Sequence, residues 1–232
     1  MLTPISRYSP AIIGSELFSI FEEFTMSLQW LAWAKQLQAI AQTGLHYGNH
    51  AFDIERYEKI QQIAAEMIAT HTGVEPTLVL DMFQQEWGHA TPKVDVRGVA
   101  FRDDQVLLVK ERSDGCWTLP GGWADIGEPP SRAVEREVFE ESGFEAKATK
   151  LLAVYERDHP RHGHPPEPHH SFKLFFHCEI VGGSAQTSNE TSDVGFFGPD
   201  QIPPLSLGRV VPSQIARFFE HRHHPDWPTD FD

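Results

Sequence analysis

Glu137, Glu140 and Glu141 stand at positions i, i+3 and i+4 of a segment that reads as a helix from about Pro130 to Ser142. At helical spacing the three carboxylates share one face. Like charges placed so repel, and an isolated helix gains nothing from them. A hard divalent cation reverses the sign, because Mg²⁺ takes carboxylate, water and substrate phosphate oxygens as ligands. Arg136 lies four residues before Glu140 and can pair with it, orienting that carboxylate from behind. Upstream, Leu119-Pro120-Gly121-Gly122 reads as a strand entering a tight turn where glycine lets backbone approach a ligand. A fourth carboxylate, Glu128, lies in the loop between. Pro130 suits a first helical turn and Gly143 a left-handed cap. Val134 and Val138 flank the acidic face and are expected to anchor the helix to a sheet.

Written as spacings, the segment is Gly122, five residues, Glu128, seven residues, Arg136-Glu137-Val138, one residue, Glu140-Glu141, one residue, Gly143-Phe144. A lone acidic run is usually a solvated helix face. The full pattern is far more specific, and it resembles the Nudix box of the Nudix hydrolases at every fixed position. Phe144 stands where an aliphatic residue is commoner. Pro129 stands where many members carry a capping Ser or Thr, so a shifted helix start is expected.

The resemblance implies an α/β class fold, the Nudix α/β/α sandwich with a mixed sheet. It also implies Mg²⁺-dependent hydrolysis of a nucleoside diphosphate linked to a second group X, with Mn²⁺ as a substitute cation. Glu137, Glu140 and Glu141 would hold the metal with a backbone carbonyl of the Gly121–Gly122 turn, and Glu128 would support the cluster. Glu140 or Glu190 would serve as base, so Glu140, Glu141, Arg136 and Glu190 form the catalytic set, with Asp193 as second choice to Glu190. Members with a helical prefix and a GGWAD-type loop resemble enzymes acting on CDP-choline or ADP-ribose, and their prefix is associated with dimers. The alternatives are a ligand-sensing domain without turnover and an RNA 5′-end pyrophosphohydrolase. The intact box and the acidic chain weigh against a sensor.

The chain has 232 residues, 33 acidic against 19 basic, a net charge of −14 and 40% apolar content. That balance argues against general nucleic-acid or membrane-surface binding. Two cysteines, Cys116 and Cys178, lack metal-ligand spacing and read as reduced thiols of a cytoplasmic protein. No apolar run is long enough for a membrane span, and residues 1–25 make a poor signal peptide. They read as a mobile extension, with Met26 as an alternative start.

Four regions follow: the extension 1–25, a helical module 26–90, a Nudix catalytic domain 91–222 and a polar surface tail 223–232. Leu28, Leu31, Ala34, Leu37 and Ile40 predict a helix stopped at Gly44. Asp53 reads as the N-cap of a second helix stopped at Gly73, and Pro76 as the start of a third through about Gln84. Helices this short need a partner surface, either the following domain or a second copy. After Pro92 the pattern predicts strands over Val94–Phe101, Val106–Val109, Trp117–Pro120, Ala146–Tyr155, Phe172–Val181 and Val194–Phe197, with a hairpin at Asp103-Asp104. A late helix over Val211–Arg222 carries Ile215, Phe218 and Phe219.

Outside the box, Lys110 and Arg112 end a strand whose tip faces the cleft in this fold, and Arg112 is the candidate phosphate clamp. Trp123 would stack on a base or brace its loop. Tyr155 and Arg157 are candidates for nucleotide and phosphate contact. The loop from Asp158 to His170 carries five histidines among four prolines. It reads either as a titrating lid over the phosphates or as a solvated loop; a zinc site lacks the usual ligand spacing.

Overall fold

The fold is that of a computed structural model, which describes the backbone of residues 10–167 and 169–232 and side chains from residue 29 onward. The chain divides after Thr91 into two compact units.

The first unit holds α1 (Pro10–Tyr47), α2 (Ala51–Thr72) and α3 (Pro76–Gln84). Leu31, Ala34, Ala64, Ala65, Ile68, Val79 and Phe83 form its core. Alanine at three of these positions lets helix surfaces approach closely. Two predicted boundaries differ. The first helix does not stop at Gly44 but continues to Tyr47. The Tyr57 ring lies against Gly44, where a Cβ would stand 2.4 Å from Tyr57 Cε1. The glycine is thus a packing notch rather than a stop. The second helix is capped by His50, and Asp53 sits inside its first turn, paired with Arg56 at 2.7 Å. A carboxylate there complements the helix dipole. The expectation of a mobile extension over 1–25 lies outside the described side chains, and for residues 1–9 outside the described backbone. From Pro10 the backbone is helical.

The second unit runs β1 (Lys93–Arg102), β2 (Gln105–Glu111), β3 (Trp117–Thr118), β4 (Gly121–Trp123), α4 (Pro130–Ser142), β5 (Phe144–Glu156), β6 (Ser171–Gly183), β7 (Thr191–Phe197), α5 (Pro212–His223) and β8 (Asp230–Phe231). The strand order is β3-β2-β1-β6-β5-β8, with β4 also on β1 and β7 also on β2. The β1–β6 and β5–β8 pairs are parallel and the others antiparallel, so the sheet is mixed. Alternation along β1 sends Val96 and Ala100 to one face and Val99 to the other. On the first face they meet Ala133, Val134 and Val138 of α4. On the second, Val99, Leu152 and Phe175 meet Ile215, Phe218 and Phe219 of α5.

The box helix starts at Pro130, with Pro129 as its N-cap, so no shift of its start occurs. Gly121 and Gly122 are not a free turn: they belong to β4, in register with Arg97 and Val96. At Gly121, φ is 146° and a Cβ would stand 2.0 Å from the Val96 carbonyl oxygen, so only glycine lets the two strands close. The tail lies at the surface, as expected, and is tied to the sheet there. Asp230 and Phe231 pair with Ala153 and Val154 as an added parallel strand. No helix among the described residues is long and apolar enough to cross a membrane.

Candidate active site

A cleft of about 790 Å³ opens in the second unit, bordered by Glu137, Glu140 and Glu141 of α4 and floored by Asp95, Arg97 and Lys173 of the sheet. Arg136 organises the α4 side. Its Nη1 donates to Glu137 Oε1 and Glu140 Oε2, both at 3.0 Å, while Nε and Nη2 hold Glu128 at 3.2 and 3.1 Å. The bonds to Glu128, then those to Glu140 and Glu137, raise the Arg136 pKa further, keeping it charged. The expected pairing with Glu140 is present, and the same guanidinium ties three carboxylates at once.

Glu141 is buried, and its Oε2 accepts a hydrogen bond from the Gly121 N–H at 2.9 Å. Burial pushes this carboxyl up to about 8, against the opposing pull of Arg97. Burial likewise raises Glu137, against Arg136. These carboxylates are short of positive charge, and their donors are all oxygen. That combination fits a hard divalent cation and not a soft thiophilic one.

On the floor, Arg97 donates to both Asp95 oxygens at 2.9 and 2.8 Å, and Lys173 Nζ donates to Asp95 Oδ1 at 2.8 Å. Burial opposes the charge on Asp95, but the two cations outweigh it and hold the carboxyl at about 2. Burial lowers Lys173 to about 8 despite Asp95, so the cluster is ionised at neutral pH. Glu111, buried at the cleft, receives Arg209 Nε at 3.2 Å, and burial raises its carboxyl. Asp95, Arg97, Glu111, Lys173 and Arg209 were not among the residues expected from sequence. A signal for two of them exists: charges at every second position of an apolar strand, at 95 and 97, are not surface-like.

The expected site residues separate into two groups. Glu137, Glu140, Glu141, Arg136, Gly121, Trp123, Arg157 and Glu190 all border the cleft. Arg157 is buried and held by Asp158 at 2.8 Å, Glu167 at 2.6 Å and the Gly208 carbonyl at 3.2 Å. Glu190 carries no ion pair among the described residues. Glu128 lies behind Arg136 rather than at the cleft surface. Arg112 does not border the cleft: its Nε donates to the Ser188 carbonyl at 3.2 Å and its N–H to the Glu190 carbonyl at 2.8 Å. It braces the loop that carries Glu190, because the strand end turns its side chain outward. Lys110 and Asp193 face each other in the β2–β7 register, away from the cleft. Tyr155 lies in the core with its hydroxyl on Asp230 at 3.2 Å.

The histidine loop is largely exposed, as a solvated loop would be, but it is pinned by two buried histidines. His162 Nε2 meets Asp232 at 3.0 Å, and His164 Nδ1 meets the Leu207 carbonyl at 2.7 Å, with its Nε2 on Gln214 at 3.0 Å. Burial lowers His164 to about 4, so it is neutral, with Nδ1–H donating and Nε2 accepting. These anchors leave Pro165, Pro166 and Glu167 against the cleft, and none of the loop's described histidines borders it. His159, His162 and Asp232 approach within 4.8 Å of one another. Arg161 already neutralises the same Asp232 oxygen at 2.6 Å, which leaves little attraction there for zinc.

Comparison with known proteins agrees with this geometry. Residues 91–218 match the NUDIX domain family, and residues 28–83 match the family described as "UDP-X-like, N-terminal oligomerisation domain". The chain is 43% identical over 204 residues to the Bacillus subtilis (strain 168) protein named "Putative ADP-ribose pyrophosphatase YjhB", covering 88% of this chain and 97% of that one. Among solved structures, a UDP-X diphosphatase is 29% identical, with a TM-score of 0.57, covering 89% of this chain and 99% of that one. An ADP-ribose pyrophosphatase from Streptococcus suis 89-1591 is 38% identical, with a TM-score of 0.55, covering 61% of this chain and 100% of that one. With the box intact on α4 and the matched domain spanning more than half of its length, this chain belongs to the Nudix family.

Proposed function

We propose that the chain hydrolyses, with a divalent cation, the diphosphate of a nucleoside diphosphate linked to X, of the ADP-ribose or CDP-choline kind. One observation carries the reading: Glu137, Glu140 and Glu141 converge on one cleft wall, and burial leaves two of them short of compensating charge. Glu137, Glu140 and Glu141 would hold Mg²⁺ or Mn²⁺, with the Gly121 backbone beside them. The bound cation would neutralise the bridging diphosphate and acidify water.

The protein's own groups then position the reactants. Arg136 keeps the Glu137 and Glu140 carboxylates in fixed orientations and, through Glu128, ties the loop to the helix. The Gly121 amide fixes one Glu141 oxygen and leaves the other to face the cleft. Glu190 is the better placed base, since Arg136 already occupies Glu140 while no described cation occupies Glu190. Its carboxylate would take the proton of the attacking water, and the phosphorus–oxygen bond to the leaving phosphate would break in line. Trp123 offers a face for a base. We further infer a homodimer through the helical module, supported by the match to an oligomerisation domain. A cytoplasmic setting is supported by the two free thiols, Cys116 and Cys178.

The test is phosphate release from ADP-ribose, CDP-choline, sugar nucleotides, dNTPs and capped RNA, with and without Mg²⁺. Glu140→Gln is expected to lower turnover on the order of 10²-fold or more with the circular dichroism spectrum intact. Near-normal turnover in that variant would remove the basis for the reading.

A further inference from the structure

One hydroxyl in the cleft has nothing to bond among the described residues. Ser171, 1% exposed at the start of β6, borders the cleft, and its Oγ has no hydrogen-bond partner among them. A buried hydroxyl left unsatisfied is destabilising, and a ligand oxygen in the site would relieve it. Two residues on, Lys173 points to the same face and is 2% exposed. An ammonium has three donors, and Lys173 spends one, on Asp95. Two unspent hydrogen-bonding groups therefore stand about 7 Å apart along one strand.

Their place relative to the rest of the cleft is set by register. Trp123, Asp95 and Lys173 align across β4, β1 and β6. Two strand spacings, roughly 10 Å, separate the aromatic end of that row from the ammonium end. A substrate whose diphosphate faces α4 would lay its base over Trp123 and its other half toward Lys173. A quaternary ammonium group is recognised by aromatic faces. Among the described residues bordering the cleft, Trp123 is the single aromatic, and it sits at the far end of the row.

We propose that Ser171 and Lys173 form the subsite for the X half, and that it takes a sugar through its hydroxyl oxygens rather than a cationic alcohol. The proposal rests on the diphosphate-hydrolase reading above and names its substrate class. Lys173 donates to hydroxyl oxygens of the sugar, and the Ser171 hydroxyl exchanges a hydrogen bond with a neighbouring one. The backbone N–H of Arg157 donates to the Ser171 carbonyl at 3.1 Å, so this strand end does not drift as X enters.

The experiment compares kcat/KM for ADP-ribose and CDP-choline in the wild type, Ser171→Ala and Lys173→Met. The wild type should prefer ADP-ribose by tenfold or more. Ser171→Ala should cut that preference about five- to tenfold, through KM, with a melting temperature unchanged or raised, because its hydroxyl has no protein bond to lose. A merely structural serine would lower the melting temperature on truncation and leave KM alone. Lys173→Met, checked for folding by circular dichroism, should cut the preference at least as far. A Ser171→Ala preference within twofold of wild type overturns the proposal. So does an equal KM rise for both substrates, which would place the pair at the nucleoside ribose or the diphosphate. A wild type that cleaves neither compound defeats the activity reading instead. Calorimetric titration of wild type and Ser171→Ala with ribose 5-phosphate would then decide the subsite alone: weaker binding to the variant supports it and equal or absent binding overturns it.

Discussion

The backbone N–H of Gly121 donates to Glu141 Oε2 at 2.9 Å, joining the strand that enters the box to the last acidic turn of its helix. This one bond orients a buried carboxylate whose charge is otherwise opposed by burial, which pushes it up to about 8. Glu141→Gln keeps an oxygen for the Gly121 amide but removes the charge. The cation-free variant should therefore melt no lower than the wild type. It should lose the rise in melting temperature that Mg²⁺ gives the wild type, and turnover should fall on the order of 10²-fold or more. Thermal shift with and without Mg²⁺, beside phosphate release, reads all three. An undiminished Mg²⁺ shift would mean Glu141 is not a ligand.

A pH effect follows from His164. Burial lowers it to about 4, and it is locked neutral between the Leu207 carbonyl and Gln214. In the unfolded chain it titrates near 6.5. Between those values the unfolded state binds more protons, so the contribution is fully present above 6.5 and is lost as pH falls toward 4. The loss is about 3 kcal/mol at most. Urea unfolding at pH 7.5, 6 and 5 should show a shallower fall in His164→Gln than in the wild type. Parallel profiles would show that protonation of His164 is not opposed by the fold.

How much of this was legible depended on how local the cause is. The box helix from Pro130 to Ser142, its Gly143 cap and the Arg136–Glu140 pair depend on neighbours within a turn or two. Spacing alone therefore reveals them. Lys173 reaches Asp95 across 78 residues of chain, through a parallel β1–β6 pairing that no local pattern encodes. The assembled floor was consequently hidden, although the charges at 95 and 97 carry a local signal, and Arg112 stood out while bracing the Glu190 loop instead. Gly44 misled for the same reason, since only the packed Tyr57 ring distinguishes a notch from a stop.

Polar composition places the tail at the surface, where it lies, but hides what Asp230 does. Its carboxylate receives Arg217 through Nε at 2.6 Å and Nη2 at 2.9 Å, and it meets His221 at 3.1 Å. Asp230→Ala strands these donors and loosens β8 from β5. Part of the network is open to solvent, so the loss should be about 1–2 kcal/mol rather than that of a fully buried pair. The denaturation midpoint should fall accordingly while kcat/KM stays near wild type, since Asp230 does not border the cleft. Loss of activity in a fully folded variant would mean that β8 shapes the site.

The helical module offers the last test. Trp33, Ile40 and Tyr47 recur at seven-residue steps along α1 and are 54%, 54% and 62% exposed. Single exposed apolar side chains are ordinary. Three in line at heptad spacing form the kind of seam that a partner helix covers. If a second copy of the chain covers it, a charge in the middle must be desolvated without a partner, and association weakens while each module still folds. Ile40→Glu should therefore shift light-scattering mass from dimer toward monomer and raise the dimer dissociation constant at least tenfold. Helical circular dichroism should be retained, because Ile40 is not among the residues of the module's core. An Ile40→Glu protein that stays dimeric at every concentration would place the seam on another face of the helical module.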